Sequence, residues 1–119
     1  MDSTWEDIIK KHSHVNILVN NAARALGKRF DELSLESFKK THEINFLSII
    51  QLTKLFLDQK KLRQSKLRGE FHLVNVNSIG GTISMSNWTD YGSSKFALRG
   101  FTQALRFGMN TTFNSNLEL

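Results

Sequence analysis

The sequence predicts an α/β fold, part of a doubly wound parallel sheet made of two βα units with flanking long helices. Three observations carry that expectation. Two short apolar runs, 15–19 and 71–77, are each followed by a long segment of helical periodicity. The first run is nearly continuous in apolar residues, as strands are when helices cover both faces of a parallel sheet. Proline is absent from all 119 residues, so nothing forces the long helices to break. Strands that alternate with helices pair in parallel through right-handed crossovers.

Taken in order, residues 5–11 read as the last turns of a helix, with Trp5, Ile8 and Ile9 on one side. The strand at 15–19 leads into a polar loop, 20–33, that contains Gly27. Residues 34–64 read as one long helix, with Ser34 positioned to cap its N-terminus ahead of Leu35 and Glu36. Phe38, Asn45, Ile49, Leu52 and Phe56 fall on a single stripe of it. The second strand, 71–77, is followed by a loop over 80–90 and a second long helix over 93–107. There Ala97, Gly100, Phe101, Ala104 and Gly108 set small residues beside aromatics, a surface that another helix can approach closely. A helical glycine costs about 1 kcal/mol relative to alanine, so packing is the reason to expect one at Gly100. Residues 110–119 read as a disordered tail.

Composition narrows the function. The net charge is +5 and the pI about 9.8, which raises nucleic-acid binding as an alternative. The charge is concentrated in 60–68, where no aromatics interleave as a single-strand binding surface requires, so the run reads as a solvated helix end. No nucleic-acid partner is expected. There is no cysteine, hence no disulfide framework or thiolate metal site, and the four histidines lack a metal-binding spacing, so no metal is expected. No apolar stretch approaches the ~20 residues of a membrane span, and the N-terminus lacks a basic leader. A cytoplasmic location is the expectation.

The chemistry concentrates near Tyr91. Tyr91 and Lys95 lie four residues apart at the start of a helix and therefore share a face. A tyrosine hydroxyl ordinarily titrates near pH ~10, and a neighbouring ammonium favours its phenolate, so such a pair can exchange a proton with an alcohol or carbonyl. Ser78, at the end of the second strand, precedes Tyr91 by thirteen positions. Ligands of parallel sheets bind beyond the carboxyl ends of strands, where both Ser78 and Asn20 fall. On the residues alone, Asn20-Asn21 also reads as a strand-end turn, and Ser78 as a turn serine before Gly80-Gly81. Asn45 reads as a core asparagine that must find hydrogen-bond partners inside.

In this order, Asn20-Asn21-Ala22-Ala23, Asn45, Ser78 and Tyr91-x-x-x-Lys95 resemble the second half of the cofactor domain of a short-chain dehydrogenase/reductase. The resemblance covers roughly residues 5–109, and the combination is far more specific than any single motif. It implies an NAD(P)-binding, Rossmann-type domain that interconverts a secondary alcohol and a carbonyl with NAD or NADP. Tyr91 is then the general acid/base, Lys95 lowers its pKa and binds the nicotinamide ribose, and Ser78 donates to the substrate oxygen. Asn45 holds a water that links Lys95 to solvent. Asn20 and Ala22 line the cofactor beside Tyr91 and Lys95. The family pairs its two long helices between subunits, which implies a homo-oligomer.

The sequence departs from the family in two places. Ala23 stands where the motif usually has glycine, placing a methyl group at a point of close cofactor approach. None of the seven glycines forms the spacing of a phosphate-binding turn. Residues 1–119 therefore read as an incomplete NAD(P)-binding domain holding its central and catalytic segments. The alternative is a catalytically inactive fragment that associates with a full-length relative.

Overall fold

A computed structural model describes residues 2–63, 71–112 and 117–118. Helix α1 (Asp2–His12) leads to strand β1 (Ile17–Asn20). A 3₁₀ turn at Phe30–Glu32 precedes helix α2 (Leu35–His42), a π-helical turn (Glu43–Leu47) and helix α3 (Ser48–Arg63). Strand β2 (Phe71–Asn75), a second 3₁₀ turn (Ile79–Gly81), helix α4 (Thr89–Thr112) and the short strand β3 (Leu117–Glu118) follow. The sheet order is β1-β2-β3 and every pair is parallel. Strands that add in one direction make up one half of a doubly wound sheet. The α/β class read from the sequence is the observed one.

Right-handed crossovers put α3 and α4 on the same face of the sheet, and the core lies between them and the strands. Phe56 of α3 packs edge-on against Phe71 of β2, with Leu73 completing the buried cluster. Trp5, Leu18 and Leu105 close over it from α1, β1 and α4. Gln59 anchors the approach to β1 by copying a strand partner. Its Oε1 accepts from the Val15 N–H at 2.9 Å, and its Nε2 donates to the Val15 carbonyl at 2.6 Å. The other face of the sheet is open: Ile17 is 58% exposed, Val19 54% and Val74 43%. The apolar run at 15–19 promised burial on both faces, but the helices that follow the strands cover only one.

The helix expected over 34–64 is not uniform. Ser34 does cap it, accepting from the Ser37 N–H at 3.2 Å. The π-helical turn at Glu43–Leu47 then interrupts the α-helical ladder, as such turns commonly do at functional sites. Helix α4 starts earlier and ends later than 93–107, and no glycine or proline stops it after Gly108. Of the tail expected over 110–119, residues 110–112 and 117–118 lie within elements instead. Helix α4 continues to Thr112, and Leu117–Glu118 pair with Phe71 and His72 of β2. The side chains of the basic run at 60–68 lie outside the described residues, as do 113–116 and 119. The packing expected at Gly100 is not made among the described residues, where a Cβ would meet nothing within 4 Å. No helix among the described residues is long and apolar enough to cross a membrane.

Candidate active site

Strands β1 and β2 end in register, with Asn20 opposite Asn75. The Asn20 amide donates to Asn75 Oδ1 at 2.8 Å, and the Asn75 amide donates to Thr102 Oγ1 of α4 at 3.0 Å. This chain of amides fastens the sheet's carboxyl edge to the helix that carries Tyr91. Asn20 Oδ1 is buried and has no partner among the described residues.

Ser78 leaves β2 in extended conformation and caps the 3₁₀ turn, its Oγ accepting from the Gly80 N–H at 3.1 Å. Accepting that bond leaves the hydroxyl hydrogen free to be donated elsewhere. The next two glycines set how closely α4 approaches. A Cβ on Gly80 would lie 3.1 Å from Tyr91 Cε1 and 3.5 Å from Ser78 Oγ. Gly80 thus lets the tyrosine ring lie against the turn that presents Ser78. A Cβ on Gly81 would come within 2.8 Å of the Lys95 carbonyl oxygen, so the helix backbone itself rests on this turn.

Lys95 is 3% exposed, and its Nζ donates to the Val76 carbonyl at 3.0 Å while lying 5.8 Å from the centre of the Tyr91 ring. Burial disfavours the ammonium and holds the Lys95 pKa below the usual lysine value. One bond to Val76 leaves two of its three N–H donors for another partner.

Asn45 is fully buried in the π-helical turn. Its Nδ2 donates to the Arg24 carbonyl at 2.8 Å and to Ser94 Oγ at 3.0 Å, and its Oδ1 accepts from the Arg24 N–H at 2.7 Å. The amide therefore fixes the loop after β1 to the residue preceding Lys95, as a satisfied core asparagine does. Ala22 and Ala23 are exposed on that loop. Ala23, Ser78, Gly80 and Tyr91 line one open groove of about 440 Å³, together with Trp88 and Met85. Ser78, Tyr91 and Lys95 thus come together at the carboxyl edge of the strands. Asn45 reaches the same region through Ser94 of α4, and Asn20 is tied through Asn75 to Thr102 further along that helix.

Sequence reasoning missed Trp88, Met85 and Arg24. Only the Gly80-Gly81 pair signalled that something packs tightly there. Reasoning also passed over the contact that docks α4 on α2, where Thr41 Oγ1 donates to the wholly buried Asp90 at 2.7 Å. Beside it, His42 Nε2 lies 2.8 Å from Ser93 Oγ. The Ser93 hydroxyl donates to the Thr89 and Asp90 carbonyls, so the imidazole is the donor in this pair.

Burial lowers the His42 pKa below 6.5, and the Asp90 carboxylate opposes that shift only in part. A depressed histidine favours the folded state fully above the unfolded pKa of about 6.5 and loses that contribution as pH falls through the folded value. Acidification from pH ~7.5 to ~5 is therefore expected to lower the melting temperature. In His42→Gln, which keeps a donor for Ser93, the fall should be shallower. An identical pH slope in the two proteins would contradict this assignment.

The parallel strands thus bring a serine, a tyrosine and a buried lysine to their carboxyl edge, where ligands of doubly wound sheets bind. The short chain dehydrogenase family model matches residues 1–113. The chain is 34% identical over 111 residues to 3-dehydrosphinganine reductase of Danio rerio, covering 90% of this chain and 32% of that protein. It is 32% identical over 108 residues to the uncharacterized oxidoreductase YusZ of Bacillus subtilis, covering 87% and 37%. Among solved structures, a short-chain dehydrogenase from Streptomyces avermitilis superposes with a TM-score of 0.81 at 26% identity, over 92% of this chain and 39% of that one. The 4-hydroxyisoleucine dehydrogenase complexed with NADH superposes at 0.83 with 23% identity, over 99% and 49%, a likeness of fold. The chain belongs to the short-chain dehydrogenase/reductase family. It spans about a third of the length of these two curated relatives.

Proposed function

We propose that this chain carries the proton-transfer side of a nicotinamide-dependent interconversion of a secondary alcohol and a carbonyl. The observation that carries this reading is that Ser78 and Tyr91 line one groove, with the buried Lys95 ammonium 5.8 Å from the centre of the Tyr91 ring. The Tyr91 hydroxyl makes no hydrogen bond to the described residues, so it is available to a substrate oxygen. Ser78 donates its free hydroxyl hydrogen to that oxygen and orients it. Tyr91 gives or takes the proton as general acid or base, and the Lys95 cation stabilises the negative charge Tyr91 acquires. Asn45 and Gly81 act through position, holding the loop after β1 and the backbone of α4.

The residues fit the nicotinamide end of NAD or NADP. Lys95 keeps two donors for ribose hydroxyls, and Asn20 Oδ1 is an unpartnered acceptor at the edge where such ligands bind. The bound cofactor supplies the hydride donor or acceptor. The rest of its binding falls to a glycine-rich turn, a spacing this sequence does not contain. A second reading, that the chain is silent alone and associates with a full-length relative, draws on the open sheet face at Ile17, Val19 and Val74. The uncrowded Gly100 on α4 favours a homo-oligomer through the long helices.

An NADH and NADPH fluorescence titration of the 119-residue chain tests the division of labour. No saturable binding is expected at micromolar cofactor, because these residues contain no glycine-rich turn to position the pyrophosphate. Saturable micromolar binding that vanishes in Lys95→Ala would show that the chain holds a cofactor unaided. It would overturn the second reading while supporting the site.

A further inference from the structure

The groove beside Ser78 and Tyr91 also carries information about what reacts there. Besides the two hydroxyl-bearing residues and Gly80, its lining is Ala23, Arg24, Ala25, Met85 and Trp88. The Trp88 indole meets the Tyr91 ring edge-on with centroids 5.6 Å apart, so the indole lies directly beside the reacting residue. Gly27 brings the loop after β1 against the same indole, 3.7 Å from where its Cβ would be, which holds the wall upright. Its φ of +64° is one that glycine adopts without strain. Beyond the mouth, the apolar surface does not stop. Ile79, Ile83 and Met85 are more than half exposed along the segment after β2. Arg24 is the one charged residue of the lining, and its backbone, not its guanidinium, is what Asn45 fixes.

We propose that this groove binds an unbranched apolar chain attached to the reacting carbon, so that the substrate class is a medium- or long-chain secondary alcohol or ketone. The inference rests on the oxidoreductase reading for the position of the reacting carbon; the lining alone supplies the preference for an alkyl chain. A volume of about 440 Å³ falls in the range of small-molecule sites. The chain lies along Met85 and Trp88, which leaves the Ala23 side to the nicotinamide. A short, charged hydroxy acid gains nothing from these walls. It has only Arg24 as a counter-charge.

Trp88 is a built-in reporter, and Trp5, packed against the core on α1, is the only other tryptophan. The 119-residue chain carrying Trp5→Phe is titrated with 2-hexanol, 2-octanol, 2-decanol and lactate while Trp88 emission is followed. The expected result is a blue shift whose dissociation constant falls about two- to fourfold per added methylene, the range for partial to full burial of each group. Lactate gives no saturable shift. Met85→Glu, at an exposed position that folding does not depend on, weakens 2-decanol about tenfold or more. Affinity independent of chain length, lactate binding tighter than 2-decanol, no shift with any alcohol, or an unchanged series in Met85→Glu would each overturn the proposal. Tyr91→Phe separates the two claims. It keeps the chain-length series, because the walls supply the affinity, whether or not Tyr91 transfers a proton in an assembled enzyme.

Discussion

Gly81→Ala is expected to lower stability by about 1–3 kcal/mol, the cost of overpacking, and to cut turnover of an assembled enzyme about 100-fold. The added Cβ would stand 2.7 Å from Asn77 Oδ1 and 2.8 Å from the Lys95 carbonyl oxygen. Asn77 is exposed and can swing aside. The Lys95 carbonyl belongs to the backbone of α4 and moves only if the helix moves. Any such shift carries Tyr91 and Lys95 away from Ser78 together, which is why one methyl group reaches both stability and chemistry. Gly100→Ala is the control on the same helix. Nothing lies within 4 Å of its Cβ position, so the change should stabilise by up to about 1 kcal/mol. Denaturant midpoints of the two variants moving in the same direction would contradict this account of the turn.

Tyr91→Phe is expected to cost about 10²–10⁴-fold in turnover, the usual worth of a positioned acid or base, with little change in stability. The ring keeps its contacts with Gly80 and Trp88, and the lost hydroxyl leaves no described partner unpaired. Ser78→Ala behaves differently. It removes a donor to the substrate oxygen and also the cap on the Gly80 N–H, so it costs about 0.5–2 kcal/mol of stability besides activity. Lys95→Met removes a buried charge along with its desolvation cost, so activity falls further than stability does.

Much of this was legible in the chain because periodicity and strand-end motifs report local structure directly. The parallel pairing of β1 with β2 followed from strand–helix alternation, and the Tyr91–Lys95 face from helical spacing. What the sequence hid depends on contacts distant in the chain. The π-helical turn looks like ordinary helix because Phe38, Ile49 and Phe56 keep an apolar stripe on either side of it. Met85 and Trp88 sit in a loop without periodicity, and only the fold brings them beside Ala23. The open face of β1 could not be read from 15–19, since the same apolar run suits a strand covered once or twice. The continuation of α4 to Thr112 was masked by residues of low helix propensity, Asn110, Thr111 and Thr112, which a helix already nucleated upstream accommodates.

The most direct measurement is an activity assay on a chimera. Residues 15–109 replace the matching segment of the Danio rerio 3-dehydrosphinganine reductase, to which the chain is 34% identical, and reduction of 3-dehydrosphinganine is followed with NADH or NADPH supplied. The chimera should turn over, Tyr91→Phe should lose about 10²–10⁴-fold in kcat, and Lys95→Ala should lose both kcat and cofactor affinity. A chimera in which Tyr91→Phe turns over as fast as its parent would contradict the assignment of Tyr91 and, with it, the proposed chemistry of this chain.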